Sequence, residues 1–407
     1  MMPTVSCTHR RRFSTHEVFA EVEPSRRGET FRIASEKLLD VRDVTIITIQ
    51  SCILLGAYAA ANGEINVENL YYNLAGRISL ILDLPNLSYS SGLERELHVR
   101  TWWTLCMVDV WSSSAVKLQR IMPLASSVAL PMDELPFLSL RAYSEPSIDQ
   151  RAYSRASPLL AEMVRLNRVL SKVIEFNRRC VDDSLEGPAL MTGVQLLSSE
   201  LDRWVGCLPL NMHDTQTNLE WFALQGLGRM FTAVYLGYYH YGQLLHYQFL
   251  GADASTSTPE VSNYASRCKD YAGRLCDLVY RSSATNGCKV LYSTVAHIVV
   301  IASTVQIHTL LFSGDDSEIG VSKSILERNF GILLELRPYW TSVGSAMNRS
   351  QAFHQACLKS QGNSFVLDRW LLRFLLEFAA HMEVEPRDED ANFEALLSLP
   401  SYRGVAS

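Results

Sequence analysis

Glu94-Arg95-Glu96-Leu97-His98-Val99-Arg100-Thr101-Trp102-Trp103, running on through Leu105 and Cys106 to Asp109, is the stretch that decides the fold. At the helical period these residues lie on one continuous helix. Arg100 and Trp103 are i, i+3 neighbours, and Cys106 falls on the same face as Trp102 and Trp103. Each buried indole removes a large apolar area from water, worth several kcal/mol at ~25 cal/mol per Å². Arg100 and Asp109 are then expected to meet other buried groups, because a lone buried charge is costly. Ser91 is placed to start the helix, with Glu94 as its capping-box acid.

Outward from this segment the helical period continues in both directions. Helices are predicted over Phe31–Asp40, Val44–Ala61, Val67–Leu82, Glu94–Lys117, Ser157–Arg179 and Ala189–Val205. Others are predicted over Leu219–Phe249, Val261–Tyr280, Lys289–Phe312, Val321–Tyr339, Gln351–Lys359 and Ser364–His381. The breaks carry turn chemistry: Asn62-Gly63, Leu84-Pro85-Asn86, Glu186-Gly187-Pro188, Leu208-Pro209, Gly251–Pro259 and Gly314-Asp315-Asp316. Val128–Pro136 is short, apolar and interrupted by prolines, and reads as an extended connector. No alternating strand run of useful length occurs. The expected class is all-α, without a repeat that would make a solenoid.

The chain has 407 residues, 47% of them hydrophobic and 20% charged. That is ordinary for a globular protein with a sizeable core. The net charge is −6. A protein that grips DNA with its whole surface should be basic, so any DNA contact is expected to be local or to come through a partner. The nine cysteines include no C-x-x-C or C-x-x-x-x-C spacing. They read as reduced, mostly buried thiols of an intracellular protein. Val44–Gly63 and Val290–Gly314 are uncharged and reach the ~20 residues that span a bilayer. The second carries Ser293, Thr294, His297, Ser303, Thr304, Gln306 and His308, and both read as helices enclosed by other helices, with no membrane span.

The segment from Glu94 to Asp109 resembles the signature of the fungal-specific transcription factor domain, the middle homology region of zinc-cluster regulators. In that family a charged helix start leads into an Arg, a Trp-Trp pair and an Asp about two turns later. Val44–Ala61 is similar to the family's apolar helix ahead of the signature. Leu70–Leu84 resembles its Ala- and Leu-rich helix, with Ala75, Leu80 and Leu84 in place. Leu130-Pro131-Met132-Asp133 resembles its L-P-x-D connector. Leu201-Asp202-Arg203-Trp204 with Leu208-Pro209 is similar to its L-x-x-W-x-x-x-L-P. Tyr238-Tyr239-His240-Tyr241, with Leu245-His246 and Phe249-Leu250, looks like its Tyr-His helix. Phe365-Val366-Leu367-Asp368-Arg369-Trp370 and Arg373-Phe374-Leu375-Leu376-Glu377 resembles a C-terminal helix of several members. Together these cover roughly residues 31–380.

The resemblance implies an all-α regulatory domain over residues 29–380, a nuclear protein, and control of a fungal metabolic gene set, for which secondary-metabolite clusters are a common setting. Its partners would be the transcription machinery or a related regulator, in a homo- or heterodimer. No enzymatic activity is implied. The signature residues Arg100, Trp102, Trp103, Asp109, Trp204, Pro209, His240, Asp368 and Trp370 are expected to hold the fold. Three departures stand out. No six cysteines form the two C-x-x-C-x₆-C halves of a binuclear cluster, so no zinc cofactor is expected here. The family's region usually begins well upstream of the position matching Phe31, so its first helices lack a counterpart. The G-R-P that follows the signature stands as Leu118-Gln119-Arg120-Ile121-Met122-Pro123. The missing cluster raises an alternative, a modulator that pairs with a full-length zinc-cluster factor without reading DNA itself.

The ends differ from the body. Residues 1–28, with His9-Arg10-Arg11-Arg12, read as a basic flexible arm that is a candidate nuclear-import or DNA-backbone patch. Residues 381–407 are acidic and interleaved with Phe393, Leu396, Leu397 and Leu399. They read either as an activation segment or as an acidic helix start before a short packed helix. A remote rival is a terpenoid-synthase-like, metal-dependent enzyme. Asp182-Asp183-Ser184-Leu185-Glu186 would supply its acidic pentad, and Asn167, Ser171 and Glu175 its second metal motif. Against this, the triad here precedes the pentad, on nearly the same element.

Overall fold

The computed structural model describes residues 11–359 apart from 117, 124–126, 141–155, 183–184, 186 and 252–257. Among the described residues it holds thirteen α-helices and no strand, so the chain is all-α. In order these are α1 (Glu29–Leu38), α2 (Ile46–Asn62), α3 (Ile65–Ile81), α4 (Gly92–Val116), α5 (Glu134–Ser139), α6 (Leu159–Asp182) and α7 (Gly187–Cys207). They continue with α8 (Gln216–Leu224), α9 (Gly228–His246), α10 (Pro259–Ala284), α11 (Ser293–Phe312), α12 (Asp316–Leu336) and α13 (Ser342–Lys359).

Local chemistry sets the boundaries. Thr45 caps α2 by accepting from the Thr48 N–H, and Gly63 ends it at φ 77°, a left-handed turn that a side chain would strain. Thr215, Thr258 and Asp315 cap α8, α10 and α12 in the same way.

The helices bury two apolar clusters. The smaller lies among α2, α3 and α4 and contains Ile49, Ala75, Ile78, Leu84, Trp102 and Trp103. The larger is built by α6 to α13 around α9, which packs on α6, α8 and α10, while α11 packs on α12 and α13. α4 joins the two clusters, packing on α3 with one part of its length and on α6 with another, and Val110 already belongs to the larger core. α11 is long and apolar enough to cross a membrane, and 78% of its most apolar window is buried inside the protein. It is the enclosed helix expected from its polar side chains. Asn329 of α12, for instance, donates to Ser303 at 2.9 Å.

Two sequence expectations need correction. The single helix expected over Leu219–Phe249 is two, α8 and α9. Gly226 at φ 73° turns the chain between them, whereas Gly228 starts α9 in close contact with Cys288, as close packing requires. The connector Val128–Pro136 is irregular only to Asp133, after which α5 begins. Of the arm expected over residues 1–28, residues 11–28 are described. Residues 11–13, 17–19 and 24–26 form 3₁₀ turns, and Arg12 is fully buried because oxygens and aromatic faces of the body receive its guanidinium. The helix expected over Ser364–His381 and the acidic tail lie outside the described residues.

Candidate functional site

α4 starts as its sequence requires. The Ser91 hydroxyl accepts from the Glu94 N–H at 3.2 Å, and the Glu94 carboxylate reaches back to the Ser90 N–H at 2.6 Å, one residue earlier than a capping box demands. Two turns on, Arg100 is held between two carboxylates. Its Nε donates to Glu96 Oε1 at 2.9 Å, and its Nη1 and Nη2 each lie 3.3 Å from Glu134 Oε1. Nη2 also donates to the Met132 carbonyl at 2.8 Å, and the guanidinium lies 3.8 Å from the Phe137 ring centre. Glu96 in turn accepts from the Met132 N–H at 2.9 Å.

Glu134 does a second task. Its two oxygens accept from the Leu159 and Leu160 N–H groups at 2.6 and 3.2 Å, filling donors that the start of α6 leaves open. Asp133 beside it accepts from the Ser157 N–H at 2.8 Å. The Leu130-Pro131-Met132-Asp133 connector is thus the strap through which α4 and the start of α6 are tied. Burial outweighs the pull of Arg100 and pushes the Glu134 carboxyl up to about 7. Burial raises Glu96 as well.

The tryptophans below Arg100 divide their roles. Trp103 donates from Nε1 to the Ala129 carbonyl at 2.8 Å and lies under the Arg168 guanidinium at 5.0 Å. Trp102 is also buried, but its Nε1 has no hydrogen-bond partner among the described residues. Asp109 Oδ2 accepts from the Ile121 and Met122 N–H groups at 3.0 and 2.9 Å, which fixes the segment after the signature. Its carboxyl is raised by burial, against the pull of those two bonds. A crevice of about 10 Å³ opens between α4 and α6 beside Trp103, Cys106, Asn167 and Arg168. That is the size of one water.

Of the other signature residues, Trp204 belongs to the larger core. Trp204 donates to Glu162 Oε2 at 2.9 Å and packs against Tyr238 at 5.0 Å. Pro209 is exposed, and its carbonyl accepts from Met212 N–H at 2.8 Å in the turn that follows α7. His240 is buried, stacked on Trp111 at 5.9 Å and edge-on to His297 at 5.9 Å, with Nδ1 3.0 Å from Gln243 Nε2. Burial lowers it to about 3 and His246 to about 4, so both rings are neutral at physiological pH. Asp368 and Trp370 lie outside the described residues.

The residues of the rival's second metal motif divide between interior and surface. Asn167 and Ser171 are buried, Ser171 accepts from Arg120, and Glu175 is exposed. The Asp182, Asp183 and Glu186 side chains lie outside the described residues. Among the described residues no group of three or more His, Cys, Asp or Glu side chains is placed to hold a metal ion. Eight cysteines are described, all unbridged, and six of them are buried.

Glu134, Glu162 and Arg168 organise the site and were not singled out from sequence. The Glu96 and Arg100 spacing of four residues was a usable signal for one pair. Nothing local marks Glu134, whose partners lie 25 to 34 residues away. The arrangement is a support that couples α4, the connector and α6. No known family, curated protein or solved structure matches the chain.

Proposed function

We propose that this protein is a fungal transcription regulator that acts in the nucleus through its helical body, with DNA contact either local, through the basic arm, or indirect. The observation that carries this reading is that family-like motifs lying apart in the sequence meet in space. Arg100 of the signature bonds Met132 of the connector, and Asp109 bonds the segment that replaces the G-R-P. Trp204 of the L-x-x-W stretch packs on Tyr238 of the Tyr-His helix. An all-α body with a net charge of −6 also fits a regulator that does not hold DNA by its whole surface. The expected result of deleting the gene is a change in the transcripts of a metabolic gene set, with its genomic neighbours the first to examine. Unchanged transcripts under all producing conditions overturn the reading.

A second reading, a modulator paired with a zinc-cluster factor, is favoured by the spacing of the cysteines, none of which forms a C-x-x-C pair. A tagged copy is then expected to retain a cysteine-cluster regulator in a pull-down from the native host. Recovery of the chain with itself alone removes this second reading and leaves the first in place.

A further inference from the structure

Among the described residues, Arg12 is the largest charged side chain that is fully buried. Its guanidinium lies between two aromatic faces, 4.7 Å from the Tyr58 ring centre and 4.8 Å from that of Trp340. Nη1 donates to the Tyr339 carbonyl at 2.6 Å, and Nη2 donates to Asn62 Oδ1 at 2.6 Å. Asn62 is the last residue of α2, and Tyr339 stands three residues past the end of α12. Both acceptors thus lie at or just beyond the C-terminal end of a helix, where a cation is favoured.

No carboxylate bonds Arg12 among the described residues. The nearest, Glu29, lies behind Tyr58, whose hydroxyl donates to it at 3.1 Å, and Glu29 is itself paired with Arg32. Among the described residues, Nε of Arg12 has no hydrogen-bond partner. Burying a guanidinium without a bonded anion is expensive, so only a site shaped for its plane and fork retains it.

Residues around Arg12 follow it onto the body. Phe13 packs on Tyr339 at 4.9 Å and on Trp340 at 5.7 Å. Arg11 lies over Phe19 and Phe31. Arg27 donates to the Ser14 and Val22 carbonyls at 2.7 Å each, which closes residues 14–27 on themselves.

We infer that Tyr58, Asn62, the Tyr339 carbonyl and Trp340 form a guanidinium-binding box, that Arg12 is its resident ligand, and that this seating is the latch holding residues 11–27 on the body. Two of the four basic residues in the run His9–Arg12 are thereby committed to aromatic rings. A polyanion reaches Arg12 only after the box is emptied. Methylation of Arg12, which keeps the charge but blocks the fork, would leave the latch open.

The test is chemical rescue in the full chain. Arg12→Ala is expected to lower the melting temperature and to speed tryptic cleavage after Arg26, read by mass spectrometry. The gain is roughly tenfold or more, since each hydrogen bond from a charged donor is worth about a decade in the opening equilibrium. Low-millimolar guanidinium is expected to restore part of the lost melting temperature in this variant and none in the wild type. Sodium at equal ionic strength should restore nothing. Arg12→Lys is expected to behave like Arg12→Ala, because an ammonium cannot fill a planar slot. If Arg12→Ala does not fold, Asn62→Ala, which removes one acceptor, is expected to speed the same cleavage by a smaller factor. Overturning results are a lysine variant indistinguishable from wild type, a folded Arg12→Ala that guanidinium does not stabilise, or Asn62→Ala cleaved at the wild-type rate.

Discussion

α4 and α9 are both aromatic helices carrying signature residues, yet they bury polarity in opposite ways. α4 carries charge inward: Arg100 and Asp109 meet Glu96, Glu134 and backbone N–H groups from a distant connector. α9 carries neutral rings: His240 and His246 are held uncharged by burial among tyrosines and Trp111. The first arrangement depends on a few directional bonds between remote segments. The second depends on area and shape. Charged networks specify which segments meet, whereas aromatic packing supplies most of the stabilisation once they have met.

The comparison is broken most severely at Trp103. Trp103→Ala removes an indole at the centre of the smaller core together with its bond to Ala129, and a loss of about 3–5 kcal/mol is expected in denaturant unfolding. Arg100→Ala comes next. It leaves Glu96 and Glu134 buried beside each other's charge, and about 3 kcal/mol is the expected cost. If the loss falls below about 1 kcal/mol, the network is a surface pair in effect and the contrast with α9 fails.

A finer cut separates the adjacent indoles. Trp103→Phe strands the Ala129 carbonyl, whereas Trp102→Phe loses no hydrogen bond. The first variant is expected to be less stable than the second by about 1 kcal/mol. Equal losses would show that only ring area matters in α4.

The comparison also extends to pH dependence, where the two helices should act with opposite sign. Glu134 is raised to about 7 from an ordinary 4.5, so its contribution is fully present below pH 4.5 and is lost as pH rises through about 7. His240 and His246 are lowered to about 3 and about 4 from an ordinary 6.5. Their contribution is present above pH 6.5 and is lost as pH falls toward those values. Melting curves across pH should therefore flatten above pH 4.5 in Glu134→Gln and flatten below pH 6.5 in His240→Gln. Exchange of these two phenotypes would invert the assignment.

The helical class was legible because it rests on apolar periodicity, which each helix carries within itself. α4 and its start were readable from Ser91, Glu94 and the spacing of Arg100, Trp103 and Cys106. The break between α8 and α9 was hidden because Phe222, Leu227 and Phe231 continue an apolar pattern across it, and only Gly226 marks the turn. Glu134 was hidden for a different reason. An acid after Asp133 reads as solvated polarity until α6 brings two open N–H groups and Arg100 to it. Arg12 was misleading in the same way, since a basic run does not announce that two rings from α2 and the turn after α12 will enclose one member of it.

The most direct measurement is a double-mutant cycle on Arg100 and Glu134, using Arg100→Ala, Glu134→Gln and the pair, unfolded in denaturant at pH 8, where the carboxylate is mostly ionised. If this contact ties α4 to the connector and α6, the two losses should fall short of additivity by more than about 1 kcal/mol. Losses that add to within about 0.5 kcal/mol would contradict a shared network and leave α4 held by its tryptophans alone.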